Sequence, residues 1–166
     1  MPESNDRRAI VEHRFRDTQE TLYDFTDEYL VTCPQCGGCA RVSPLVTPAI
    51  DYRDPRRVIC LSCSYTKDWY GETITIGSAA DAYFGLPLWL QTEVGDRTLW
   101  AHNLRHLQFI KLFVRATIRE RSEHSGQGWR NQSVISRLPE WIKLAKNRKR
   151  VLKAIELLED RLERVY

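Results

Sequence analysis

Five cysteines, Cys33, Cys36, Cys39, Cys60 and Cys63, are the residues of this chain best suited to chemistry, and they are packed into one short stretch. Four of them form two C-x-x-C units, in TCPQCGGCAR and ICLSCSY, with 23 residues between Cys36 and Cys60. Two such units about 15–20 residues apart read as a four-cysteine zinc site, and the separation here is slightly longer. A tight turn lets both sulfurs of a C-x-x-C reach one ion, and the tetrahedron preferred by Zn²⁺ takes a pair from each turn. Gly37 follows Cys36 and Ser64 follows Cys63, where such a turn needs a backbone that tolerates positive φ. Cys33, Cys36, Cys60 and Cys63 are therefore the expected ligands. Four thiolates leave no open coordination position, so the expected role is structural.

Other cysteine chemistries compete less well. A disulfide framework needs an oxidising compartment, and five is an odd count for one. A thioredoxin-like pair would be a single C-x-x-C in a βαβ setting. An iron–sulfur cluster uses the same ligands, and C-x-x-C-x-x-C also opens cluster-binding runs, so it stays as the alternative metal. Cys39 could take the place of Cys33 or Cys36, but the turn chemistry of CPQCG favours the earlier pair. Cys39 is then expected as a small buried residue.

Two further groups could do chemistry. His102 and His106 stand four apart at a helix start, a spacing that can place two imidazoles on one face. Without an HExxH signature, a surface or cap-stabilising role is the plainer reading. No phosphate-cradling glycine loop, nucleophile elbow or kinase signature is present, and the chain is not expected to be an enzyme or to have a small-molecule substrate. The second group is basic. Residues 1–80 carry 9 Lys/Arg against 12 Asp/Glu, whereas residues 81–166 carry 16 against 10. Lys143, Lys146, Arg148, Lys149, Arg150 and Lys153 are the densest part of the excess, joined by Arg115, Arg119, Arg121, Arg130 and Arg137. Such clusters neutralise phosphates and release counterions, so DNA or RNA is the expected partner. Trp100, Trp129 and Trp141 could stack on unpaired bases. The competing reading is a solvated helix face, with exposed Trp89 and Trp100 docking a protein partner instead.

CPQCGGCAR followed by CLSCSYTKDW resembles a zinc ribbon of the transcription-factor-IIB type, in which two cysteine turns cap a small antiparallel sheet. GLPLWLQTEVGDRTLWAHNLRHLQFIKLFV and NQSVISRLPEWIKLAKNRKRVLKAI extend the likeness to a family of small bacterial zinc-ribbon proteins of uncharacterised function. The resemblance covers Glu28 to Ile155. It implies a ribbon with a helical C-terminal part and the four ligands already named; it implies no activity, and Cys39 lies outside its pattern.

The elements that must position these groups follow from local signals. Strands at Tyr29–Thr32 and Ala40–Val46 flank the first cysteine turn, and strands at Arg57–Cys60 and Tyr65–Trp69 flank the second. Thr73–Ile76 reads as one more strand. Gly95–Asp96 between apolar Leu86–Val94 and Arg97–Ala101 signals a β-hairpin with a type II′ turn. Asn103 caps a helix with Leu107, Ile110, Val114 and Ile118 on one face, ending near Ser122. The polar SEHSGQGWRNQS stretch reads as a loop. Helix resumes from about Ser133, with Pro139 in a first turn and a stripe of Trp141, Ala145, Leu152, Ile155 and Leu158. Asp17 and Glu20 suggest a capping box for a short helix over Thr18–Phe25.

The expected class is α+β: a polar arm or short helix (1–27), a zinc ribbon (28–80), then a β-hairpin and a basic helical region (81–166). With 166 residues, 42% hydrophobic and 28% charged, the chain has an ordinary globular balance. Its apolar runs are far short of the ~20 residues a spanning helix needs, so no membrane partner is expected. The charged start offers no secretory signal, which points to the cytoplasm.

Overall fold

The computed structural model describes residues 13–49, 51–71, 74–121 and 133–165. It is a mixed α and β arrangement built around two adjoining apolar cores. The site-bearing part is a four-stranded antiparallel sheet, β2 (Tyr29–Thr32), β3 (Cys39–Pro44), β4 (Arg56–Cys60) and β5 (Thr66–Trp69), in that spatial order. Register follows the pleat. Tyr29, Val31, Val42 and Val58 point to one face and are all but fully buried, with Ala82, Tyr83 and Leu88 closing over them. That packing crosses the expected boundary at residue 80.

The hairpin forms as expected from β6 (Leu90–Val94) and β7 (Arg97–Ala101), with Gly95 at φ +71° in the first turn position that type II′ requires. Helix α1 (Leu104–Arg115) follows, and Asn103 is its cap: Oδ1 accepts the His106 N–H at 2.9 Å. Its inward face packs against α4 (Arg148–Glu163), whose buried stripe is Val151, Ala154, Ile155, Leu158 and Leu162. Two short helices, α2 (Val134–Arg137) and α3 (Glu140–Lys143), and a 3₁₀ turn (Ala145–Asn147) precede α4. No described helix is long and apolar enough to cross a membrane.

Several expectations are corrected. Helix α1 ends at Arg115, and Ile118 begins a strand, β8 (Ile118–Arg121), that pairs in parallel with β1 (Arg14–Asp17). β-Branched Thr117 and Ile118 are weak helix formers, and a partner strand about a hundred residues away takes up their backbone groups. The expected helix over Thr18–Phe25 is a single 3₁₀ turn (Leu22–Phe25), with its capping box on Thr21 and Asp24 rather than Asp17 and Glu20. Residues 74–76 form no strand. Ala145 is exposed and Ile142, not Trp141, is the buried member of α3.

The two cores are joined through β2. The Leu30 N–H donates to the His102 carbonyl, the Trp89 N–H to Leu30 and the Thr32 N–H to Pro87, each at 2.8 Å. Asn103 Nδ2 donates to the carbonyls of Phe25 (3.1 Å) and Glu28 (2.9 Å). Trp100 and Ile76 pack against both clusters.

Candidate metal centre

Each C-x-x-C occupies a turn with the same backbone bonds. In the first, Gly37 N–H donates to Cys33 (2.9 Å) and Cys33 N–H to Gly38 (2.7 Å); in the second, Ser64 N–H donates to Cys60 (3.0 Å) and Cys60 N–H to Tyr65 (2.9 Å). Gly37 and Ser64 sit at φ +72° and +61°, the left-handed positions their places in sequence suggested. The turns face each other at one end of the sheet. The Sγ atoms of Cys33, Cys36, Cys60 and Cys63 all lie within 4.8 Å of one another.

The closest cross-turn pairs are Cys33–Cys63 at 3.7 Å and Cys36–Cys60 at 3.6 Å. All five cysteines are free thiols. An ideal tetrahedron with Zn–S bonds of about 2.3 Å has S···S edges of about 3.8 Å. The donor set fits a tetrahedral, thiolate-binding ion.

Backbone amides are directed at the sulfurs. Gln35 N–H reaches Cys33 Sγ and Gly38 N–H reaches Cys36 Sγ, each at 3.4 Å. Burial disfavours a Cys60 thiolate, but the amides of Cys63 and Ser62 together with the Cys36 and Cys63 sulfurs outweigh it and bring Cys60 down to about 6. The Tyr65 amide favours a Cys63 thiolate, but burial and the sulfurs of Cys36, Cys60 and Cys33 outweigh it and hold Cys63 high. Four thiolates this close repel one another, and a divalent cation is what relieves the repulsion. Cys39 is a different case. It is buried, stands outside the cluster, and burial pushes its thiol up to about 11, so it stays protonated as a packing residue.

The basic residues divide. Lys143 Nζ donates to the Ser136 carbonyl and Arg148 Nη2 to that of Ala116, while Arg119 binds the Lys143 carbonyl and lies over the Phe113 ring. These cations are partly spent inside the fold. Lys146, Lys149, Arg150 and Lys153 are exposed around the start of α4. Trp89, Trp100 and Trp141 are half-buried against the core, not free platforms. Trp129 and Arg130 lie outside the described residues.

His102 and His106 are corrected in full. Neither is on the surface: both are 1% exposed or less. His102 packs against Trp100 (5.5 Å) and Tyr29 (4.5 Å), and His106 stacks on Phe25 (4.8 Å). His106 Nδ1 accepts the His102 N–H at 3.2 Å. Burial brings His102 down to about 4, against a weak pull from the Phe25 carbonyl that forms no hydrogen bond with the ring. Burial, then the His102 and Arg105 charges, brings His106 down to about 3. Both are neutral core residues.

Two buried charged residues escaped notice: Asp81, 3% exposed, whose carboxylate accepts the amides of Tyr83, Phe84 and Leu86, and Arg56. Arg56 is 2% exposed, on the inward row of β4 with Val58 and Cys60. Its parity with Cys60 was a usable signal, because residues i, i+2 and i+4 of a strand share a face.

Fold and site together define a mixed α and β protein with a four-cysteine centre between two turns of a small antiparallel sheet. No family model, curated protein or solved structure matches the chain.

Proposed function

We propose that this protein is a non-enzymatic zinc-ribbon module, in which Cys33, Cys36, Cys60 and Cys63 hold one structural Zn²⁺ and the start of α4 contacts nucleic acid. The convergence of four sulfurs within 4.8 Å carries the metal part. When bound, the ion supplies folding energy to a sheet with a small core. The chain's own contribution is to hold four sulfurs at tetrahedral spacing and to direct amides at them.

The nucleic-acid part is supported by an arrangement that costs stability. Arg148, Lys149 and Arg150 occupy the first turn of α4, which has no acidic residue. Cations there oppose the helix dipole, and a phosphate would satisfy both. Lys146, Lys149, Arg150 and Lys153 enter no ion pair among the described residues.

A salt titration of binding to short DNA and RNA is the test. Affinity should fall steeply with salt, and replacing Lys149 and Arg150 by Ala should reduce the slope by about 2. No binding at low salt overturns the reading. Exposed Leu61 (71%) at the second cysteine turn, with exposed Ile59 just before it on β4, favours a protein partner in that event.

A further inference from the structure

Arg56 is the buried charge that the metal centre does not explain. Its guanidinium lies 4.8 Å from the Tyr83 ring centroid, which answers part of its charge. Nε and Nη1 have no hydrogen-bond partner, and no ion pair among the described residues includes Arg56. The hydroxyl of Tyr29, 1% exposed and in the same core, is also without a partner. A desolvated guanidinium without an anion is strongly unfavourable, so the position implies something to bind.

A cavity of ≈270 Å³ supplies the place. It opens between the turn carrying Tyr23, Asp24 and Asp27 and the loop carrying Asp51 and Tyr52, with Arg56 as the buried charge in its wall. The rim is acidic. Asp24 Oδ2 accepts from the Thr21 N–H (2.7 Å), Asp51 Oδ1 from the Arg53 N–H (2.8 Å), and Asp27 Oδ1 pairs with Arg105 (2.9 Å). A carboxylate has about four lone-pair sites, so each keeps acceptor capacity. A phosphate dianion would meet the Asp24 and Asp51 carboxylates, and an Asp27 already paired with Arg105, on its way to Arg56. A molecule with a carboxylate at one end and an ammonium at the other meets favourable charge at both. The rings of Tyr23 and Tyr52, 5.1 Å apart, offer an apolar wall to the carbons between.

We propose that this cavity binds a small amino-acid-like zwitterion, its carboxylate on Arg56 and its ammonium toward Asp24, Asp27 and Asp51.

Calorimetric titration of the metal-loaded protein with glycine, 4-aminobutyrate, acetate, methylammonium and inorganic phosphate tests it. At least one zwitterion should bind about tenfold more tightly than any singly functional probe or phosphate. Arg56→Met should abolish that binding while leaving the ligand-free melting temperature unchanged or higher, because an apolar side chain replaces an unpaired charge. Should that variant fail to fold, Arg56→Lys keeps the charge but loses the fork, and should weaken binding about tenfold. The proposal is overturned if neither zwitterion binds up to about 50 mM. It is equally overturned if acetate or phosphate binds as tightly, if binding survives in a folded Arg56→Met, or if it is undiminished in Arg56→Lys.

Discussion

Acid should unfold this protein through His102 and His106, and His102→Phe should measure the effect of one of them. Both imidazoles titrate near 6.5 in the unfolded chain and are brought down to about 4 and about 3 by burial in the native one. The unfolded state therefore binds more protons below pH 6.5, and stability falls as pH falls. It is fully present above that value and is lost from there down toward the native pKa values. Between pH 8 and pH 5 each imidazole should remove about 2 kcal/mol, about 4 kcal/mol for the pair, a large part of a typical folding free energy. His102→Phe isolates one imidazole, since neither ring nitrogen of His102 has a hydrogen-bond partner to lose. Urea unfolding at pH 8 and pH 5 is the assay. The variant should lose about 2 kcal/mol less than the wild type over that range, and protons taken up by released thiolates cancel in the comparison. Equal losses would refute the reasoning, as would a native His102 or His106 resonance titrating near pH 6.5.

Elemental analysis should find one zinc per chain; iron with visible absorbance would replace the metal. Chelation should deprotect the amides of β4 and β5 in hydrogen exchange while Leu30 and Trp89, bonded across to the other core, exchange more slowly. Equal exchange at Leu30 and Val58 would make the two parts one unit. Gly37→Ala should cost about 1–2 kcal/mol by backbone strain alone. An added Cβ there meets nothing within 4 Å. Ser64→Gly should gain about 1 kcal/mol at the equivalent site, and a neutral melting-temperature change in both would remove the strain argument. Asn103→Ala should cost about 2–4 kcal/mol in chemical denaturation, because it removes the α1 cap and two buried carbonyl partners. A loss under about 1 kcal/mol would mean water replaces the side chain.

What can be read from this sequence without its structure is short-range. The two C-x-x-C turns, the positive-φ places after them, the Gly95 hairpin and the Asn103 cap each depend on residues within four or five positions, so spacing and residue type suffice. Even the separation of the two cysteine turns acts through one simple requirement, two facing loops around one ion. The C-terminal helices were legible in outline for the same reason, with the exact buried stripe off by a residue in α3.

Tertiary structure decided the rest. Ile118 fits a helical stripe and a strand equally well, and the parallel partnership with Arg14–Asp17 settles it. His102 and His106 have the composition of a surface pair until Tyr29, Phe25 and Trp100 close around them, which turns two titratable groups into neutral core residues. Arg56 reads as one more cation in an RR pair, yet its parity on β4 and the cover of Tyr83 make it the most deeply buried charge described. Burial is a property of what packs from elsewhere in the chain, and that is why local pattern brought out the four cysteines of the candidate metal centre but not the environment of His102, His106 or Arg56.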